Sequence, residues 1–130
     1  MANPRRSNGS RRDSLRARVI ARGEACWICG HPVDSSLPNL HPWQLTVDEL
    51  TPVSRGGSPY DPENCVAAHR CCNNWRKAKP VTSVLRVRAL VDCRLGGSVD
   101  PTDFVAKARV APCVPSAGPT MAPPRTTTEW

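Results

Sequence analysis

Cys26-Trp27-Ile28-Cys29 and, forty residues on, His69-Arg70-Cys71-Cys72 are the two stretches whose reading decides this fold. Each places two soft ligands two residues apart. Two short pairs at a distance are the usual layout of a structural zinc site: one pair sits on a knuckle, the other on a turn or helix start, and together they close a tetrahedron. Thiolate and imidazole suit Zn²⁺ better than hard cations. The spacing therefore nominates Cys26, Cys29, His69 and Cys72. The second pair leaves its register open, because Cys71 is adjacent and Cys65 would share a face with His69 on a helix. The repeated two-residue gap favours Cys72 and leaves Cys65, Cys71, Cys93 and Cys113 as free thiols. A redox Cys-x-x-Cys pair would need a thioredoxin-like βαβ pattern, which the sequence lacks.

The composition agrees with a metal staple. The chain has 130 residues, 39% of them apolar and 5% aromatic, which suits one domain with a small core. Such cores need a disulfide, a metal or a partner. Seven cysteines are an odd number for a disulfide framework, and the Arg-rich N-terminus has no apolar stretch of signal-peptide length. No run approaches the length of a transmembrane helix. A cytoplasmic protein without membrane attachment is the expectation.

The net charge of +7 is uneven. Residues 1–24 carry Arg5, Arg6, Arg11, Arg12, Arg16, Arg18 and Arg22 against Asp13 and Glu24; residues 25–79 are balanced. A basic arm beside a neutral body is a sequence-blind phosphate binder or a solvated tail.

Residues 1–13 read as a disordered basic arm of Asn, Ser, Gly and Arg. Ser14 can cap a helix over 15–22 that stops at Gly23. Trp43-Gln44-Leu45-Thr46-Val47-Asp48 alternates and is rich in strand formers. Pro52 to Pro62 is a polar loop containing Gly56-Gly57, and Asn64 to Lys79, free of Gly and Pro, reads as a helix ended by Pro80. A third helix runs from about Val84 to Gly96-Gly97. A fourth starts at Asp100-Pro101-Thr102-Asp103, with a capping Asp, Pro in the first turn and an acid three residues on. Residues 111–130 read as a disordered Pro-rich tail.

Asp48 and Glu49 end an apolar strand, where a carboxylate costs free energy unless it is used or turns into solvent. Around them, Val47-Asp48-Glu49-Leu50-Thr51-Pro52-Val53-Ser54-Arg55-Gly56-Gly57-Ser58, then Asp61-Pro62-Glu63-Asn64, then His69-Arg70-Cys71-Cys72-Asn73 resembles the HNH endonuclease motif, in particular that of small zinc-bearing HNH proteins of tailed bacteriophages. The resemblance covers residues 22–79. It implies an α+β chain with a ββα-metal (HNH or His-Me finger) domain: two antiparallel strands, a long loop and a helix around one catalytic divalent ion, braced by zinc. The nuclease domain would span 14–79, with a helical extension over 80–110.

The resemblance also implies roles. Asp48 matches the acid that ligates catalytic Mg²⁺ or Mn²⁺. Glu49 stands where the family has its general-base His, the main departure. Asn64 matches the residue that fixes the loop, and from the residues alone it can also cap the helix read over 64–79; Asn73 matches the second ligand position. A carboxylate of reference pKa about 4.3 is a weaker base than imidazole at about 6.5, but it is ionised at neutral pH. His31 and His41 are lower-ranked substitutes. The leading expectation is a metal-dependent DNA endonuclease, with Arg5, Arg6, Arg11, Arg12, Arg16, Arg55, Arg76, Lys77 and Lys79 on backbone phosphates. The resemblance places such enzymes in phage DNA processing, beside terminase subunits in the host cytoplasm. The alternatives are a zinc-braced DNA-binding module whose nuclease site has decayed, and a zinc module that binds protein. Oligomeric state is left open.

Overall fold

The computed structural model describes residues 4–113, with side chains from Gly9 to Pro112. Among these residues the order is α1 (Pro4–Arg22), β1 (Leu45–Glu49), a 3₁₀ turn (Val53–Arg55), β2 (Cys65–His69), α2 (Arg70–Arg76), α3 (Val81–Arg94), α4 (Pro101–Val110) and a final 3₁₀ turn (Ala111–Cys113). The chain is a small α+β unit built on one two-stranded antiparallel sheet.

β1 pairs β2 with Leu45 opposite His69 and Glu49 opposite Cys65. The helix expected over 64–79 is thus a strand for its first third and a helix only from Arg70. Ala67 and Ala68 favour helix in isolation, but here they complete the ladder to β1, and both are buried. His69, still extended at φ −72° and ψ 148°, is the joint between strand and helix.

The N-terminal arm expected to be disordered over 1–13 is helical from Pro4, and Ser14 lies inside the helix rather than capping it. Pro suits a first helical position, and the rest of the arm propagates from a docked end. Leu15 and Val19 are buried with Leu45, Cys65 and Ala67. Arg16 Nη1 donates to the Leu45 carbonyl at 2.9 Å, and Arg22 reaches the Cys65 and Pro62 carbonyls at 2.8 and 2.5 Å. α1 therefore covers one side of the sheet.

The other side carries a second cluster, in which Cys26, Ile28, Cys29, Ala68 and Cys72 pack with Trp75, Val84, Val91, Phe104 and Val105. Trp75 meets Phe104 edge to face at 5.8 Å. The segment expected as an extension, 80–110, shares this core with the metal-ligand residues. Its fourth helix starts as the sequence indicates: Asp100 Oδ1 accepts from the Asp103 amide at 2.7 Å, and Asp103 Oδ2 accepts from the Val99 amide at 3.0 Å. Of the expected Pro-rich tail, 114–130 lie outside the described residues. No helix of the described residues is long and apolar enough to cross a membrane.

Candidate metal centre and acidic strand end

The turn after α1 is tightened by two backbone bonds, Gly30 N–H to the Cys26 carbonyl at 2.9 Å and Cys26 N–H to the His31 carbonyl at 3.1 Å. This knuckle turns both thiols inward. A further bond, from the Trp27 amide to the Ala67 carbonyl at 3.2 Å, fastens the knuckle to β2. His69 and Cys72 arrive from the end of β2 and the first turn of α2. The four ligand atoms of Cys26, Cys29, His69 and Cys72 lie within 4.8 Å of one another, and all four residues are buried. Ligands about 2.3 Å from a tetrahedral ion lie roughly 3.8 Å apart, so the spacing fits a zinc-sized ion.

The surroundings of the cluster also suit a cation. The His69 amide points to Cys26 Sγ at 3.4 Å and the His31 amide to Cys29 Sγ at 3.5 Å, donors that stabilise thiolates. His69 Nε2 lies 2.8 Å from the Pro32 carbonyl oxygen. A carbonyl only accepts, so Nε2 carries the proton there, and Nδ1 faces Cys29 Sγ at 3.3 Å and Cys72 Sγ at 3.9 Å. Burial disfavours the imidazolium, but hydrogen bonds to Cys26, Cys29 and the Pro32 carbonyl outweigh it and push His69 up to about 10. Bonds from Cys29 and Cys72 drive the Cys26 thiol far down, while the same shared protons drive Cys72 up. A dication in place of these protons satisfies the whole set. Cys26, Cys29, His69 and Cys72 can thus hold a metal ion, and the chemistry of three sulfurs and one imidazole is that of structural zinc. Cys72, not Cys71 or Cys65, completes the set. Cys65 is on a strand and lies 3.6 Å from the Pro59 carbonyl.

At the end of β1 the two acids face different surroundings. Asp48 is 7% exposed, and its Oδ2 accepts from Trp27 Nε1 and from Arg76 Nη1, each at 2.8 Å. Arg76 is wholly buried. It also donates to the carbonyls of Glu49 at 2.6 Å, Leu50 at 2.7 Å and Lys79 at 3.0 Å, and lies over the Trp27 ring at 4.9 Å. Glu49 instead lines a cleft of ≈ 320 Å³ between α1 and β1 with Arg12, Arg16 and Thr46. Burial and then Asp48 raise its carboxyl above the ordinary range, against Arg76 and Arg12.

Asn64 clamps the loop between the strands. Its Oδ1 accepts from the Thr51 amide at 2.8 Å, and its Nδ2 donates to the carbonyls of Thr51 and Ser58 at 3.0 Å each. Gly57 makes this closure feasible, since a Cβ there would run into the Thr51 carbonyl. Asn64 caps no helix, because a strand follows it. Asn73 is half-buried in α2, and its side-chain amide makes no hydrogen bond among the described residues. His41 Nδ1 accepts from the Trp43 amide at 3.0 Å and His31 Nε2 meets Ser98 Oγ at 2.9 Å. Neither imidazole hydrogen-bonds to Asp48 or Glu49.

The residues expected on phosphates separate into two groups. Arg76 is corrected outright, because it is buried against Asp48 and a run of carbonyls. Arg16 is engaged by the Leu45 carbonyl, and Arg11 lies over the Tyr60 ring at 3.9 Å. Arg12, Arg55 and Lys77 are exposed, and Lys79 is half-buried. The side chains of Arg5 and Arg6 lie outside the described ones. Sequence reasoning missed the joint role of Trp27 and Arg76. The signals available were a Trp inside the knuckle and a basic residue four positions after a ligand, one helical turn along the same face. No protein-family model, curated protein or solved structure matches this chain.

Proposed function

We propose that the chain is a metal-dependent DNA endonuclease of the HNH kind, a ββα-metal domain hydrolysing phosphodiester bonds at the Asp48–Glu49 end of β1. The observation that carries this reading is the order strand, clamped loop, strand, helix, with the acid pair ending the first strand, Asn64 closing the loop and Asn73 following the last Cys of a four-ligand cluster. The HNH resemblance assigns roles to those same positions.

For the catalytic ion the fit is partial. Asp48 Oδ1 and the Asn73 amide oxygen have no hydrogen-bond partner among the described residues, so two oxygens are open to a hard divalent cation. Arg76 already neutralises Asp48 and competes with such an ion. Asp48 and Asn73 would hold Mg²⁺ or Mn²⁺, which would stabilise charge building on the phosphate. Glu49 would take the proton from the attacking water, its raised pKa bringing it closer to neutrality and strengthening it as a base. Asn64 holds the loop so that the end of β1 keeps its position, and the zinc cluster holds α2 against the sheet. Arg12, Arg18 and Arg55 would contact backbone phosphates from exposed positions. By the same resemblance the setting is phage DNA processing or packaging in the host cytoplasm, with terminase subunits as partners.

One observation favours a second reading, a zinc-braced DNA-binding module without cleavage: the buried Arg76 already supplies the positive charge that a catalytic ion would bring to Asp48. Plasmid nicking with zinc-loaded protein decides between the two. Cleavage that requires added Mg²⁺ or Mn²⁺ and is lost in Glu49→Gln supports the enzyme. Salt-dependent DNA binding without cleavage at any divalent concentration supports the module.

A further inference from the structure

Lys77 and Lys79, expected on phosphates from the sequence, share a surface with α4 that the sequence reading did not include. Lys77, Lys79 and Arg109 line a cleft of ≈ 370 Å³ between the end of α2 and α4, with Asn74 beside them and Trp75 as a wall. Among the described residues, no acid lines the cleft. Neither Lys77 nor Arg109 has an ion-pair partner among the described residues. Lys79 is pre-positioned: its ammonium donates to the Trp75 carbonyl at 2.7 Å and lies 4.7 Å from the centre of the Trp75 ring. That leaves two of its three N–H donors for a ligand.

A second, independent observation concerns the backbone. Lys77 ends α2 at φ 52° and ψ −118°, and it is the sole non-glycine residue with positive φ among the described residues. Glycine adopts this conformation freely, whereas a side chain is strained there. A helix that only needed to end would be better served by glycine. A lysine at this position keeps a charge at the mouth of the cleft at a cost in stability.

We propose that this cleft binds the phosphate backbone of duplex DNA, which makes α4 part of the nucleic-acid interface. The inference rests on the nucleic-acid reading above and deepens it. Its phosphate-binding cations are separate from the acid pair, and α2 links the cleft to Asn73, one turn before Lys77. A strand held here would be anchored on the helix that carries the proposed second ligand. Cations at a helix C-terminus also suit the helix dipole, but the dipole calls for no strained lysine where glycine would serve.

The test uses full-length, zinc-loaded protein and a short duplex DNA, with affinity measured across a salt series without Mg²⁺ or Mn²⁺. Lys77→Gly should melt at a higher temperature than wild type and yet bind DNA more weakly. The double variant Lys77→Gly with Arg109→Gln should reduce the slope of log affinity against log salt by about 1.8 relative to wild type, at roughly 0.9 per lost phosphate contact. An unchanged slope in the double variant overturns the proposal, as does a wild-type protein with no salt-dependent DNA affinity. A Lys77→Gly protein that melts no higher than wild type also counts against it, because the strain argument then fails. If the slopes change as expected while wild type cuts no DNA with any divalent ion, the cleft stands and the nuclease reading falls.

Discussion

Trp27 Nε1 and Arg76 Nη1 reach the same oxygen, Asp48 Oδ2, each at 2.8 Å. Trp27 lies between the two thiols of the knuckle, and Arg76 is one turn beyond Cys72. Each half of the metal-ligand cluster therefore sends one donor to the acid that ends β1. The four-ligand cluster and the acidic corner are joined through two side chains, with the indole ring packed beneath the guanidinium.

Arg76→Ala should destabilise the protein by about 3–5 kcal/mol, because it strands a buried carboxylate and several carbonyls. Arg76→Lys should not rescue it, since one ammonium cannot serve acceptors on Asp48, Glu49, Leu50 and Lys79. Urea unfolding of zinc-loaded protein measures both. A loss under about 1 kcal/mol for Arg76→Ala, the ceiling for exposed pairs, would show that the pair is loosely held.

Purified protein should contain one zinc per chain. Cys26→Ser and Cys72→Ser should lose the metal and the fold together, since these thiols line the larger core cluster. Cys71→Ser should retain metal and structure. Elemental analysis and far-UV circular dichroism read this out, and metal loss in Cys71→Ser with none in Cys72→Ser would reverse the ligand assignment.

Glu49→Gln should lower the cleavage rate by about 10²–10⁴, the range for loss of a general base, and extra Mn²⁺ should not restore it. Stability moves the other way. The folded Glu49 carboxyl has a raised pKa, so the folded state holds its proton longer than the unfolded chain does. Stability of the wild type therefore falls as pH rises from the ordinary carboxylate range through the raised folded value. Glu49→Gln removes that fall and should be at least as stable as wild type at neutral pH. Thermal melts from pH 4 to 8 test the sign.

Deleting residues 1–12 should weaken DNA binding while leaving zinc content unchanged, because Leu15, Val19, Arg16 and Arg22 still dock α1. Four arginines are lost, so the salt slope could fall by up to about 3.6 at roughly 0.9 per contact. An unchanged slope would mean that the arm serves only the fold, as Arg11 over Tyr60 already does.

The features legible in the sequence were those with short-range causes. The knuckle is a matter of two residues between thiols, and the start of α4 is fixed by Asp100, Pro101 and Asp103 acting on neighbouring amides. The Gly-Gly loop likewise closes on itself through Asn64. What stayed hidden depends on partners distant in the chain. Cys65 to His69 reads as helix because its strand character comes from β1, some twenty residues earlier. Arg76 reads as a surface cation because its acceptors lie on another element. The arm reads as disorder because its order comes from docking on the sheet.

The ligand pair His69 and Cys72 straddles the joint between β2 and α2, where the period of side-chain direction changes from two residues to 3.6. Adding or removing one residue at that joint would swing Cys72 by about 100° around the helix. The same change within β2 would turn its side chains to the opposite face. Either one misses the thiols of the knuckle. The stretch between Ser58 and Asp61 has no such coupling of length to direction, since Asn64 fixes the ends of the loop and turns fill the middle. Length variation among related chains should therefore gather in that loop, and the spacing from Cys65 to Arg76 should tolerate none.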